Sequence, residues 1–169
     1  MKSQLRRKSD CCRSTVLLVL AWAALAVASH AQEIAVQNDA GVSVKVTAAE
    51  IAGLPHQKVS VTLHGKATSF EGVALRLVLQ KAGITLGESL RGKRLATYLL
   101  VQAADGYRVV FALPELDPAF TDRIILLADR ADGHPLDIKE GPFRIVVPDE
   151  KRMARWARQV IALKVVQIQ

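Results

Sequence analysis

The sequence predicts an α+β fold that is mostly β, with a mixed, barrel-like sheet core and a few short helices. Three observations support this prediction. Short runs of alternating apolar and polar residues outnumber every other pattern, turn residues separate neighbouring runs, and sustained helical periodicity occurs in one stretch only. No internal repeat, linker or low-complexity tract interrupts residues 32–169, so we expect a single domain of that extent.

The first 31 residues have the composition of a cleavable signal peptide. A basic start precedes an apolar run over residues 16–27, which is too short to span a bilayer comfortably. Residues 29–31, Ser-His-Ala, place small side chains at the two positions that a signal peptidase reads, so we expect cleavage before Gln32. The predicted product is a periplasmic protein without a stable membrane anchor, and an uncleaved anchor is the alternative.

Cleavage at this point changes both the thiol content and the charge. It removes Cys11 and Cys12, the two cysteines of the chain, so residues 32–169 offer no disulfide, thiolate ligand or cysteine nucleophile. The leader also holds five of the 23 Lys and Arg residues and one of the 16 Asp and Glu residues, which leaves a net charge of +3 instead of +7. This low charge argues against a nucleic-acid partner.

The domain is predicted to open with a hairpin and a short helix. Residues 33–37 and 42–46 alternate and are separated by the turn sequence Asn-Asp-Ala-Gly, which predicts two paired strands. Thr47 and Glu50 have the spacing of a capping box, so a brief helix should follow and end near Gly53.

A strand and the longest helix are predicted next. Residues 59–63 alternate and predict a strand with one wet face. Residues 73–82 are apolar except for a narrow polar stripe, and Phe70 to Gly72 lead into them, which predicts a helix packed against a sheet. Gly83 is the expected left-handed stop of this helix.

The second half of the domain predicts a hairpin followed by three further strands. Residues 96–103 and 107–112 are joined by Asp105-Gly106, a link whose two positions are expected to adopt positive φ. Further predicted elements are a single helical turn at 114–116, a central strand at 124–128, a polar loop at 129–135, a strand at 143–147 between the Gly-Pro corner and Pro148, and a final strand at 160–168.

An ordered series of motifs in this second part of the chain resembles the oxidoreductase molybdopterin-binding domain, the sulfite oxidase-type fold. The resemblance extends from about Phe70 to the C-terminus. The motifs are Phe-Glu-Gly-Val-Ala-Leu at 70–75, Lys-Ala-Gly at 81–83, Ala-Asp-Gly-Tyr at 104–107, Leu-Ala at 127–128, Asp-Gly-His-Pro-Leu at 132–136, Gly-Pro-Phe-Arg-Ile-Val-Val-Pro at 141–148 and Arg-Trp at 155–156.

The resemblance implies a mixed α+β fold that holds a molybdenum–molybdopterin cofactor, whose metal a cysteine thiolate ligates in catalytic members. Residues 32–169 have no cysteine, and only the half of the family pattern downstream of that cysteine is present. Molybdenum can also be bound through the sulfurs of the pterin, so cofactor binding remains an expectation. Any enzymatic activity would be that of a molybdopterin-dependent oxidoreductase, and the missing ligand argues against sulfite oxidase-type catalysis.

The basic segment around Trp156 supplies the candidate cofactor-binding residues, Arg144, Lys151, Arg152 and Arg155, and Arg158 is a further residue to test for binding. Guanidinium groups suit phosphate because they donate hydrogen bonds in a planar fork. The family resemblance implies that this segment lies near the phosphate of the cofactor, with Arg144 and Arg155 the most direct matches. The alternative is a solvated turn whose charges only maintain solubility, and Trp156 is expected to be a core anchor.

Other catalytic patterns are missing from the sequence. His56, His64 and His134 lie in three separate segments without metal-ligand spacing. The sequence contains no nucleophile elbow, Walker loop or dinucleotide-binding glycine pattern. Tyr107 follows a turn and could line a pocket, although a cross-strand packing contact is the simpler explanation.

Two functions follow from these observations. The first is an exported protein that binds a molybdenum–pterin cofactor or a related anion, with a periplasmic redox protein as partner. The second is a non-catalytic envelope module that keeps the fold and binds a protein partner or a small anion. The missing thiolate and the short chain favour a role without sulfite oxidase-type catalysis.

Overall fold

The computed structural model describes residues 32–63 and 65–168. The predicted signal peptide and His64 lie outside the described residues. No helix in the described ranges is long and apolar enough to cross a membrane. The strands are β1 (Glu33–Gln37), β2 (Ser43–Thr47), β3 (His56–Leu63), β4 (Lys66–Ala74), β5 (Thr97–Ala103), β6 (Arg108–Ala112), β7 (Leu126–Ala131), β8 (His134–Pro135), β9 (Arg144–Val146) and β10 (Val160–Gln167).

Short helices connect these strands. The two α-helices are α1 (Ala48–Ala52) and α2 (Leu75–Lys81), and single 3₁₀ turns cover Gly87–Ser89, Gly92–Ala96, Leu113–Leu116 and Met153–Arg155. The predicted helical turn at 114–116 is therefore confirmed, with Pro114 near its start.

The strands form two sheets that enclose a common hydrophobic core. The first sheet has the order β2-β1-β10-β5-β6 and is mixed, because β1 and β10 run parallel. The second sheet has the order β3-β4-β7-β8, and β9 also pairs with β7; all of its pairs are antiparallel. One cluster of buried side chains from both sheets and both α-helices fills the space between them. The predicted α+β, mostly β fold class is confirmed.

The opening hairpin and the helix cap are confirmed residue by residue. Strands β1 and β2 pair antiparallel from Glu33 opposite Thr47 to Gln37 opposite Ser43. The Thr47 hydroxyl accepts from the Glu50 N–H at 3.2 Å, and the Glu50 carboxylate accepts from the Thr47 N–H at 3.0 Å. This reciprocal pair is the predicted capping box.

The predicted helix over residues 73–82 is wrong at its start. Strand β4 continues through Ala74, and α2 begins only at Leu75. Residues 72–74 pair with residues 126–128 of β7, and this segment is buried. A strand buried on both faces is apolar without alternation, so its sequence cannot be distinguished from a buried helix. Gly72 permits the close approach, because a Cβ there would overlap the Leu127 carbonyl oxygen.

The predicted central strand at 124–128 and polar loop at 129–135 also need correction. Strand β7 begins two residues later, at Leu126, and continues to Ala131. The register with β4 shifts between Ala128 and Arg130, which leaves Asp129 as the extra residue of a bulge. The polar residues after Ala128 have the composition of a loop, but pairing with β4 and β8 keeps them in strand conformation.

The Asp105-Gly106 hairpin is confirmed, but its turn differs from the prediction. Only Gly106 has a positive φ, of 85°, and the Asp105 backbone stays in the ordinary region. The Gly106 N–H donates to the Ala103 carbonyl at 3.1 Å, and the Ala103 N–H donates to the Tyr107 carbonyl at 2.9 Å. The link is thus a three-residue loop that needs one glycine only.

Candidate functional site

Arg144 lies at the start of β9, in a buried segment. Only 6% of the residue is exposed, although it carries a charge. One terminal nitrogen of its guanidinium donates to the Glu140 carboxylate. The guanidinium also lies over two aromatic rings, 4.9 Å from the centre of Phe70 and 5.7 Å from that of Trp156. Aromatic faces and one carboxylate therefore compensate the buried cation.

This compensation is incomplete. Burial, and after it the Arg158 cation, lower the pKa of Arg144 to about 10, and Asp137 opposes this change. The Nε atom of Arg144 is buried and has no acceptor among the described residues, and neither has the indole Nε1 of Trp156. A buried donor without an acceptor costs about 1–3 kcal/mol. Two neighbouring donors of this kind indicate a place where acceptor atoms are missing.

A cleft of about 440 Å³ lies beside these two donors. Its volume is in the range of small-molecule and cofactor sites. The lining combines two cations, two carboxylates and an apolar wall: Arg144, Arg158, Asp105, Glu140, Leu63, Tyr107, Met153, Ala154, Trp156 and Ala157. The Tyr107 hydroxyl donates to the Ala154 carbonyl at 2.6 Å. This hydrogen bond connects the hairpin of β5 and β6 to the 3₁₀ turn at Met153–Arg155.

Arg155 has a different environment, although the sequence places it in the same basic segment. Its Nε donates to Glu150 at 2.6 Å, its terminal nitrogens donate to Glu115 at 3.2–3.4 Å, and one of them also donates to the Val110 carbonyl at 3.2 Å. The guanidinium lies 4.5 Å from the centre of the Phe111 ring. Burial lowers the pKa of Arg155, but the hydrogen bonds and charges of Glu115 and Glu150 outweigh it and raise the pKa. Arg155 therefore has its acceptors within the protein.

Lys151 and Arg152 occupy a third environment. Both are exposed, they precede the 3₁₀ turn at Met153–Arg155, and they lie outside the lining of the cleft. The four predicted site residues thus have three environments. Arg144 is buried beside the cleft, Arg155 forms a structural clamp with Glu115 and Glu150, and Lys151 and Arg152 lie in an exposed turn. Arg158, the further residue predicted for binding, lines the cleft together with Arg144, and its side chain is 60% exposed.

Trp156 has the predicted role of a core anchor. Only 6% of it is exposed, and its ring meets Phe70 edge to face at 6.0 Å between centres. Trp156 is nevertheless among the residues that line the cleft. It therefore lies at the boundary between core and cleft.

The cleft has donors for an oxyanion but no thiolate for a metal. The described residues contain no group of three or more His, Cys, Asp or Glu side chains that could hold a metal ion. His56 contacts Asp129 at 3.2 Å and the Leu54 carbonyl at 2.9 Å, and it is not among the residues that line the cleft. The two unsatisfied donors and the two arginines fit the phosphate of a pterin cofactor or another oxyanion.

The two-sheet, mostly β fold is of the sulfite oxidase type. The chain matches the family model of the oxidoreductase molybdopterin binding domain over residues 23–168, and it belongs to that family.

Among solved structures, the chain is similar to the sulfane dehydrogenase SoxCD from Paracoccus pantotrophus, with a TM-score of 0.60 and 17% sequence identity. The similarity covers 79% of this chain and 38% of that one, so the chain spans well under half of the length of the enzyme. At this identity the likeness establishes the fold alone. No curated protein matches the chain.

Proposed function

We propose that this chain is an exported protein that binds an oxyanion ligand in the Arg144 cleft and has no sulfite oxidase-type activity. The observation that carries the proposal is the pair of buried donors, Arg144 Nε and Trp156 Nε1, that lack acceptors beside a cleft with a second arginine. Phosphate and related oxyanions offer several acceptor oxygens to such donors at once. Family membership favours the molybdenum–pterin cofactor as the ligand.

Individual residues of the chain would divide the work of holding this ligand. Arg144 and Arg158 would hold the phosphate by charge and hydrogen bonds, and Trp156 would donate its indole N–H. Leu63 and Met153 provide an apolar wall for a flat ring system. Lys151 and Arg152 are exposed and close to Arg155 in the sequence, and their positive charges would attract the anion at a distance. Salt would screen this attraction.

The cofactor, when bound, supplies redox chemistry at its metal. The thiolate that catalytic members use for this metal has no counterpart in residues 32–169, because the two cysteines are Cys11 and Cys12. This difference supports a carrier or sensor of the cofactor more than a sulfite-oxidising enzyme.

The decisive experiment is elemental analysis for molybdenum, together with pterin fluorescence after oxidation, on protein purified from the cell envelope of its host. We expect metal and pterin in equal amounts, close to one per chain, and their loss in an Arg144→Gln variant. Arg155→Gln is the matched control, because it removes an arginine of the same segment that lies outside the cleft. Wild-type protein without either component, from a host that fills its other molybdoenzymes, contradicts cofactor binding.

The expected export has its own test. Fractionation should place the protein in the periplasm, and N-terminal sequencing should find Gln32 as its first residue. Protein that stays with the membrane and begins at Met1 contradicts this part of the proposal.

A second function, an envelope module for a protein partner, is supported by the rim of the cleft. Tyr107 and Met153 are 47% and 40% exposed on this rim, and Ile138 is 87% exposed in the neighbouring loop. Exposed apolar groups beside cations are common in protein interfaces. This function predicts colourless protein without molybdenum, whose association with a periplasmic partner is lost on Ile138→Asp and Met153→Asp.

A further inference from the structure

The carboxylate of Glu140 occupies the position that an anionic ligand of the cleft requires. Its Oε2 accepts from Arg144, and its Oε1 lies 3.9 Å from the nearest terminal nitrogen of Arg158. It therefore contacts both cations of the cleft while its side chain, 30% exposed, forms part of the lining. An oxyanion in the cleft therefore competes with Glu140 for both arginines.

The backbone of Glu140 is fixed independently of this carboxylate. Its N–H donates to the Asp137 carbonyl at 3.1 Å, and its carbonyl accepts from the Gln159 N–H at 3.0 Å. The side chain is held by the two arginines, and it sits in a turn with solvent on one side. A change of side-chain rotamer therefore releases the arginines without rearrangement of the loop.

We infer that Glu140 acts as an internal anion in the cleft, which a ligand must displace, and that it thereby selects doubly charged oxyanions over singly charged ones. This inference rests on the proposed function. A monoanion only replaces one carboxylate charge by another. A dianion adds a second charge beside Arg144 and Arg158. The donors Arg144 Nε and Trp156 Nε1 are buried, and displacement of Glu140 would let further oxygens of the dianion accept from them.

Calorimetric titration with inorganic sulfate and with nitrate tests this inference on the wild type and on Glu140→Gln. The amide keeps the shape of the side chain and removes its charge. We expect sulfate affinity to rise about tenfold, equivalent to 1.4 kcal/mol, and nitrate binding to become measurable only in the variant. Glu150→Gln is the matched control, because Glu150 pairs with Arg155 outside the cleft, and it should stay within about twofold of the wild type.

Thermal unfolding provides a second readout in case Glu140→Gln weakens the fold. The variant leaves the buried Arg144 cation without its carboxylate, so its melting temperature in chloride should fall. Sulfate should restore this melting temperature by ligand linkage and should raise that of Glu150→Gln much less. A conservative variant, Glu140→Asp, shortens the reach to Arg158 and should show an intermediate gain in sulfate affinity.

Each outcome has a defined meaning. Wild-type protein that binds sulfate with equal or higher affinity than Glu140→Gln overturns the role of Glu140 and leaves the oxyanion site in place. Failure of sulfate and inorganic phosphate to bind either protein overturns the oxyanion site itself, and the role of Glu140 with it. Binding of sulfate by both proteins, with higher affinity in Glu140→Gln, supports the inference. Binding of sulfate by Glu140→Gln alone overturns the selection of dianions by the wild type.

Discussion

Arg144 and Arg155 belong to one basic region of the sequence but to two different structures. Arg155 has two carboxylates, a backbone carbonyl and an aromatic ring as partners. Arg144 is more deeply buried, has one carboxylate, and keeps a donor without an acceptor beside a cleft. The opposite shifts of their pKa values reflect this difference. The comparison teaches that the number of acceptors around a guanidinium, and not its place in a charge cluster, separates a structural clamp from a candidate binding site.

Substitution of Arg144 should have the largest effect on both stability and sulfate binding. Arg144→Met should lower the free energy of unfolding by about 3 kcal/mol, because Glu140 loses its buried partner and the stacking on Phe70 and Trp156 is lost. It should also abolish sulfate binding. Urea unfolding measures the first effect. The double variant Arg144→Met with Glu140→Gln should recover much of the stability, since no unpaired charge remains; a double variant as unstable as the single one contradicts the assignment.

Substitution of Arg155 should affect stability without affecting binding. Arg155→Met leaves Glu115 and Glu150 without their main partner, which should lower the free energy of unfolding by about 2 kcal/mol, discounted because these side chains are partly exposed. Sulfate affinity should stay within about twofold of the wild type, as measured by calorimetry. A tenfold loss of affinity would place Arg155 in the binding site and remove the contrast with Arg144.

The clamp around Arg155 should also make stability depend on acid. Burial raises the pKa of Glu115, but hydrogen bonds from Arg155 and the Ala112 N–H outweigh it, so the pKa lies below the ordinary 4.5. As the pH falls, the Glu115 carboxylate is protonated in the unfolded chain before it is protonated in the folded one. Its contribution to stability is therefore complete above pH 4.5 and is lost as the pH falls through the folded pKa. Urea unfolding across this pH range should show that the free energy of unfolding falls less steeply with pH for Glu115→Gln than for the wild type. The same dependence on pH in both proteins contradicts the prediction.

The exposed turn should give the smallest effects. Lys151→Ala and Arg152→Ala should each change the free energy of unfolding by less than about 0.5 kcal/mol, because both side chains are exposed. Sulfate affinity should fall by less than about twofold at physiological salt and more at low salt, where screening is weak. A loss that is independent of salt indicates direct contact with the ligand instead.

Local chemistry made parts of this fold predictable. The capping box of Thr47 and Glu50 and the hairpin at Gly106 depend on residues within a few positions of each other, and both were predicted correctly. The extent of β4 and β7 depends on pairing between distant segments. The strand conformation of Val73 and Ala74, and the bulge at Asp129, follow from that pairing and leave no local signal.

The candidate site shows the same limit. The sequence selects Arg144 and Arg155 together, and the structure places the Glu140 carboxylate on Arg144. Glu115, the partner of Arg155, lies forty positions away, so sequence spacing could not reveal that this arginine is already satisfied. Arg158 and the position of Trp156 at the cleft edge also depend on how β9 and β10 meet, through hydrogen bonds such as Val160 N–H to the Phe143 carbonyl at 2.9 Å.

The most direct test of the Arg144 cleft uses the indole N–H of Trp156 as its reporter. Trp156 is the single tryptophan of residues 32–169, so ¹⁵N NMR of that product gives one indole signal. We expect this signal to shift and saturate on titration with sulfate in the wild type and in Arg155→Met, and to stay fixed in Arg144→Met. A signal that stays fixed in the wild type while calorimetry records sulfate binding would place the anion elsewhere and contradict the account.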